Sequence, residues 1–592
     1  MLSAIHLTAN AGGWRLTAIL SYAKGFIMNL LGKATSPEFW AEVRNKPEYK
    51  KMVDAVLRDY EECCTGEIEA TKFSKFRLFK DKGDRGAYQE VFFKRQHRMY
   101  AMTFMCLLYP ENEGYLELLQ DTIWEICDQY VWALPAHIGN IEVNDNCEMD
   151  LDATTMAMAL AICKAVLGDK LHPLIKSRID HEIDRRIIKP FMKKRWHWEY
   201  RANNWTAVCT GATGCVFMLN RPELFELVRD RLNENMADYL RSYYDDGVCV
   251  EGAGYWSYGF GYYMEYAIMQ KEFTKGKYNL VDTEKVRNIS TFLQKLFLDR
   301  DVIVNYGDCG AGTSVSVPAG FMYGLRKAHG DMVDIPPEER LSLQVHYFPF
   351  MLRAFTDFDA SFVASEISKE ATYYMGDYGW FVKRCEKYGF GARGGSNGES
   401  HNHNDVGSFI LSIDNDQVII DMGGRPYTRQ YFEEGRYNFL ETSSRGHNLP
   451  IINGEYQKNI PNTGSTTSYE NGVFSVDFGS VYGIKELKKL VRSYSFTENS
   501  VTVCDKLDID GSFTLTERLV SYIEPSIKDN EVIIGKAHIK FDASIFEASY
   551  TSDTHALECD VDGNIKRGVT VYLTDLTLKT QDKKVSYTIE IK

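Results

Sequence analysis

The chain has 592 residues, 44% of them hydrophobic and 25% charged, so it carries material for large cores and extensive disorder is excluded. Its 82 acidic and 68 basic residues leave a formal net charge of −14, which excludes the broad basic field of a nucleic-acid binder or of a protein drawn to anionic membranes. Aromatic residues make up 13% of the chain, a surplus that either fills cores or builds flat platforms for sugar rings.

The first 34 residues, MLSAIHLTANAGGWRLTAILSYAKGFIMNLLGKA, are mildly apolar but lack the charged start, unbroken apolar stretch and small-residue cleavage site of a signal peptide. A cytoplasmic location is the expectation. No uninterrupted run of about 18 apolar residues occurs, so no transmembrane helix is expected. The 13 cysteines are scattered, odd in number and without zinc-type CxxC spacing, which suits reduced thiols better than a disulfide framework.

From SPEFWAEVRNKPEYKKMVDAVLRDYEECC to about Leu352, apolar residues recur every three or four positions, the helical period. Ser36-Pro37-Glu38, Asp150 and Asp152 carry helix-start chemistry. Many helices joined by Gly-, Pro- and Asn-bearing loops point to a helical-hairpin array or toroid. From about Tyr373 the pattern changes to alternation, as in GSFILSIDNDQVIIDMG and SFTLTERLVSY, and continues to the last residues. An antiparallel β-sandwich is predicted there. The expected division is 1–370 and 371–592, with the boundary between Arg353 and Thr372 and no low-complexity linker. That predicts an intimate interface, a favoured place for a ligand cleft.

Three clusters carry chemistry. In GESHNHND, His401 and His403 lie two apart, on one side of an extended segment; Asp421 ends the strand QVIID and His447 follows in SSRGHN. His403, Asp421 and His447 form a His2Asp set suited to zinc or a similar divalent ion, the plain alternative being polar-loop histidines. The second cluster is Arg201-Ala202-Asn203-Asn204-Trp205; asparagine pairs often only cap helices, but an amide here can hold a carboxylate. The third, DDGVCVEGAGYWSYG followed by Tyr262 and Tyr263, sets Glu251, Tyr255 and Tyr258 among glycines, a composition suited to a sugar platform or a catalytic phenol. Trp132 and His137 in VWALPAHIGN are candidates to line a cleft, the plainer reading being a loop tryptophan that anchors helices. Phosphate loops, nucleophile elbows and dinucleotide fingerprints are missing from the sequence.

Taken together, NNW, DG with EGAGYWSYG, HNHND, the strand-terminal Asp421 and RGHN resemble, in order and spacing, the heparinase II/III-like polysaccharide lyases; the resemblance spans about Trp132 to Tyr456. It implies an incomplete (α/α) toroid followed by an antiparallel β-sandwich. It also implies β-elimination on uronic-acid-containing glycans such as heparan sulfate, chondroitin sulfate or hyaluronan. Under it, Asn203 or Asn204 binds the uronate carboxylate, with Asn203 narrowly preferred. Tyr258 is the general acid with Tyr255 in reserve, and His401 is the base or carboxylate partner. Trp205, Glu251, Tyr255, Arg436 and Tyr437 bind substrate, and Arg425 and Arg429 are candidates for a positive lining. His403, Asp421 and His447 hold one divalent metal, Zn2+ before Mn2+ or Ca2+, in a mainly structural role. The expected partner is an anionic poly- or oligosaccharide, with no nucleic acid and no membrane; a homo-oligomer is compatible. The family often has a histidine where the Asn pair stands, which leaves the preferred uronate epimer open. The competing readings are an alginate or oligo-uronate lyase of the same fold, a non-catalytic carbohydrate-binding relative, and a metal-dependent hydrolase.

Overall fold

The computed structural model describes residues 31–139, 147–310, 315–432, 434–560 and 563–592. Residues 1–30, most of the segment read above as lacking a signal peptide, lie outside the described residues. Helix starts follow the expected chemistry. Ser36 accepts from the Phe39 N–H with Pro37 in the first helical position, and Asp150 caps Leu151–Leu167 by accepting from Ala153 N–H.

Helices occupy the chain up to Phe348–Thr356, packed as successive hairpins. Leu151–Leu167 and Asn204–Asn220 are the inner pair, rich in Ala, Thr, Cys and Gly. Every residue of the second is buried except Trp205, as expected of a helix surrounded by others rather than facing solvent. Its small residues let Gly261–Phe273 cross closely: a Cβ added at Gly214 would lie 2.4 Å from the Tyr266 ring. The stretch Leu151–Lys170 is the one described helix long and apolar enough to cross a membrane, by composition alone; 67% of its most apolar window is buried inside this helical layer.

The first sandwich strand is Ala371–Met375. Among the described residues it opens a five-stranded antiparallel meander that continues through Trp380–Cys385, Tyr388–Arg393, Phe409–Ile413 and Asp416–Ile419. The long hairpin Phe546–Cys559 with Ile565–Leu578 continues through Leu515–Ser521 to Pro450–Ile452 as a four-stranded sheet, tied to the meander where Ile420 N–H donates to Val520 O. An eight-stranded antiparallel sheet with Lys584–Ile591 and Ser500–Ile509 at its centre forms the opposing layer. The strand alternation assigns the faces. Phe381, Phe390 and Phe409 pack into the sandwich core with Phe474 and Tyr494, whereas Trp380, Val382 and Ile410 join the helical core. The meander is therefore a wall shared by both halves, buried on both sides. No disulfide forms among the described residues.

Candidate active site and metal set

A cleft of about 870 Å³ opens where the helices meet the sandwich loops. The helical side contributes Arg85, His137, Asp152, Asn204, Trp205, Tyr255 and Tyr258; the sandwich side contributes His401, Tyr427, Arg429, Arg436 and Tyr437. A second cavity of about 550 Å³, lined by residues such as Arg300, Lys369 and Arg384, holds none of the candidate residues.

Adjacent asparagines have different fates. Asn203 is the N-cap residue, in extended conformation (φ −148°, ψ −178°); its side-chain oxygen is buried without a partner among the described residues, and it does not line the cleft. Asn204, one residue into the helix, does line it, and its Nδ2 donates to Glu251 Oε2 at 3.0 Å. Of the pair, it is Asn204 and not the narrowly preferred Asn203 that lines the cleft: the first helical turn rotates the second carboxamide toward it. Glu251 sits behind Asn204, and burial pushes its carboxyl above the usual range despite His401 and the Asn204 bond. It supports Asn204 and borders a neighbouring cavity of about 390 Å³ rather than the cleft itself.

The tyrosines separate as well. Tyr255 stacks on His401 with ring centroids 4.0 Å apart and 19° between planes, and its hydroxyl lies 2.7 Å from that of Tyr427. Tyr258 also lines the cleft, but its ring neighbour is Tyr262 at 5.8 Å. The Tyr255 phenol is the one held against His401, and both phenols line the cleft. Directly after Tyr255 the helix loosens into a π-turn over Trp256–Phe260, which contains Tyr258. Burial raises both phenols, Tyr255 above its ordinary value despite the Tyr427 bond. Tyr262 and Tyr263 are core residues, so the aromatic platform is shorter than the sequence suggests. Trp205 lines the cleft, edge-on to His137 at 4.9 Å, whereas Trp132 is buried, its indole N–H donating to Ile126 O.

His401 is in the left-handed region at φ +56°, uncommon for a residue with a side chain and characteristic of functional loops. It is held there by the loop around Gly307, where a Cβ would meet His401 O at 2.8 Å, and by Asp308 N–H, which donates to that oxygen at 3.0 Å. Asp308, which the sequence reading did not single out, is buried beneath the cleft and faces His401, His403, Arg436, Tyr427 and Tyr431. Burial opposes its charge, but the two histidines and Arg436 outweigh that and hold the carboxyl well below the ordinary range. The only sequence trace was its glycine-flanked setting, YGDCG. Arg436 is therefore committed to Asp308 and to Asn402 O, while Tyr437 donates to Asn402 Oδ1 at 2.9 Å. Arg425 turns away from the cleft, stacked on Phe439 at 3.8 Å and bonded to Gly563 O; Arg429 lines it.

Below this layer lie His403, Asp421 and His447, all essentially inaccessible. One ligand atom from each falls within 4.8 Å of the others. His403 Nδ1 is buried without a hydrogen-bond partner among the described residues, a costly arrangement for a polar atom, and His447 Nδ1 and Asp421 Oδ2 face each other at 3.1 Å. The other edges are occupied: His403 Nε2 faces Asp308 at 3.1 Å, His447 Nε2 donates to Glu441 O at 2.9 Å, and Asp421 Oδ1 accepts from Gly423 N–H at 2.8 Å. The donor set fits a divalent ion such as zinc, and two imidazoles argue against calcium. His137, Asp150 and Asp152 form another close group, but Asp150 is already used as helix cap and His137 partner.

No family model matches the sequence, and no curated protein does. Solved structures do match in shape. The heparan sulfate lyase HepC from Pedobacter heparinus superposes with a TM-score of 0.57 at 13% identity, over 97% of this chain and 88% of that one. The fold is that of this lyase. A Streptomyces coelicolor A3 chondroitin AC lyase in complex with chondroitin sulphate gives 0.57 at 12% identity (97% and 83%), and heparinase III gives 0.56 at 12% (86% and 77%). The architecture common to these lyases and this chain is the helical toroid followed by the antiparallel β-sandwich expected from the sequence.

Proposed function

We propose that the protein is a polysaccharide lyase that cleaves uronic-acid-containing glycans by β-elimination, leaving an unsaturated uronate at the new end. The observation that carries this reading is the convergence of Asn204, Tyr255 and His401 on one cleft. An amide, a phenol and an imidazole are the three groups such an elimination needs. The Asn204 amide holds the uronate carboxylate and stabilises the charge that builds there as the C5 proton leaves. His401 takes that proton. Tyr255, kept protonated by its buried position, donates to the departing glycosidic oxygen. Trp205 offers a ring face to a sugar, and Arg429 and Tyr437 complete the opposite wall.

His403, Asp421 and His447 would hold Zn2+ or a similar ion, which when bound supplies a cross-link beneath the loop carrying His401. Because these side chains are sealed from the cleft, a brace is favoured over metal-activated water, and a lyase over a hydrolase. The cleft lining holds Asp152 and Glu399 as well as Arg85 and Arg429, and Arg436 is committed to Asp308. That balance favours glycans of low sulfation, including alginate-type oligo-uronates. The test is a panel of heparan sulfate, chondroitin sulfate, hyaluronan and alginate, followed by near-ultraviolet absorbance of the unsaturated product, with and without chelator. Saturated products, or binding without turnover on every member, would defeat the proposal.

A further inference from the structure

We infer that Asp308 is a positioning residue that sets the tautomers of two histidines at once, coupling the metal set to the imidazole in the cleft. The inference rests on the lyase reading for what His401 does, but its geometry does not. The Asp308 side chain is inaccessible to solvent. Its Oδ2 lies 3.0 Å from His401 Nδ1 and 3.1 Å from the Tyr427 hydroxyl; its Oδ1 lies 3.1 Å from His403 Nε2 and 2.7 Å from Arg436 Nη2, and accepts from the Tyr431 hydroxyl. Asp308 comes from the helical half, and all five of these groups come from sandwich loops.

A carboxylate paired with a guanidinium is an acceptor only, so any ring nitrogen at hydrogen-bond distance from it must carry the hydrogen. On His403 this puts the hydrogen on Nε2 and leaves the Nδ1 lone pair aimed toward Asp421 and His447. The Glu441 carbonyl accepts from His447 Nε2, while His447 Nδ1 faces Asp421 Oδ2 at 3.1 Å. On His401 it puts the hydrogen on Nδ1 and leaves Nε2 as the basic nitrogen for a ligand in the cleft. The backbone repeats the arrangement: Asp308 N–H holds His401 O, so side chain and main chain together keep the strained His401 in register. Partners of metal-bound histidines commonly act this way. What is particular here is one carboxylate serving a metal ligand and a cleft histidine from opposite oxygens.

The test is Asp308→Asn in the full chain. A carboxamide has one acceptor end and one donor end, so it can satisfy only one of the two histidines and turns its N–H groups against donors at the other. Zn2+ affinity, read by competition with a chromogenic chelator, should fall by about 10- to 100-fold. At saturating Zn2+, kcat should still be reduced by about 100-fold or more, with KM changed by less than about threefold, because Asp308 does not reach the cleft. A fall in only one of Zn2+ affinity and kcat, or in neither, overturns the inference. Should the variant fail to fold, Asp308→Glu replaces it: the charge is kept but both contacts shift by a methylene, and both readouts should again fall together, loss of only one or neither overturning the inference. If the wild-type protein cleaves no uronate glycan, the lyase reading fails on its own, while the Zn2+ arm still reports whether Asp308 orients His403.

Discussion

Replacing Tyr255 by phenylalanine tests the geometry most directly. The substitution removes one oxygen and keeps the ring stacked on His401 at 4.0 Å. The lost hydrogen bond to Tyr427 is 2.7 Å long and in a partly open site, so its net contribution to folding is about 1 kcal/mol. In a chain of this size that is a small change in unfolding temperature. Turnover should respond far more, because a positioned general acid contributes roughly 10²- to 10⁴-fold. At 1.36 kcal/mol per tenfold, that is about 3–5 kcal/mol on the barrier. Tyr258→Phe is the control. Its ring faces Tyr262 rather than His401, so turnover should stay within about fivefold of wild type. Initial rates of product absorbance on the best glycan, with thermal unfolding of each variant, give both quantities. If Tyr255→Phe kept its rate, or Tyr258→Phe lost as much, the assignment from stacking geometry would be refuted in favour of the more buried phenol.

Three other outcomes are expected. Asn204→Ala should lower kcat by about 10²- to 10³-fold, the usual cost of removing a charge-stabilising donor, whereas Asn203→Ala should affect mainly stability; equal kinetic losses would undo the distinction drawn from the helix start. Chelation, or His447→Ala, should lower the unfolding temperature as well as activity, and added Zn2+ should restore both in the wild type; unchanged unfolding with a bound ion removed would argue against a brace. Asp357→Asn should destabilise the helical half by about 3 kcal/mol at pH 7, since it strips Arg353 and Lys327 of a buried partner. Burial opposes the Asp357 charge, but Arg353 and Lys327 outweigh it and depress the folded-state value. Its stabilisation is therefore present above the unfolded value of about 3.9 and is lost as pH falls through the folded one, so the gap between variant and wild type should close in acid. Urea unfolding at pH 7 and pH 3 reads this, and an undiminished gap at pH 3 would contradict it.

Much of the site was legible because it follows local periodicity. His401 and His403 are two apart at the mouth of a strand, Asp421 ends the segment QVIID and His447 precedes the next strand, so spacing alone proposed the His2Asp set now found with its three ligand atoms clustered. Choices between near neighbours were not legible. Whether Asn203 or Asn204 faces the cleft depends on where the helix takes its first turn, and Tyr258 lies within a π-turn that starts directly after Tyr255, which no spacing rule announces. Asp308 was invisible for another reason. It stands 93 residues before His401 in an unremarkable glycine-flanked loop, and its meaning arises only when the helical half closes on the sandwich.

The sequence by itself determined the two textures of the chain, helical period then strand alternation, together with the residue types able to bind a metal and move a proton. Its charge of −14 already implied that recognition of an acidic glycan must rest on a few local groups. Tertiary structure decided which groups those are. It committed Arg436 to Asp308, turned Arg425 into the sandwich and brought Tyr255 onto His401, because these contacts join halves whose pairing is set by shape and burial across the shared five-stranded wall, information that no local pattern carries.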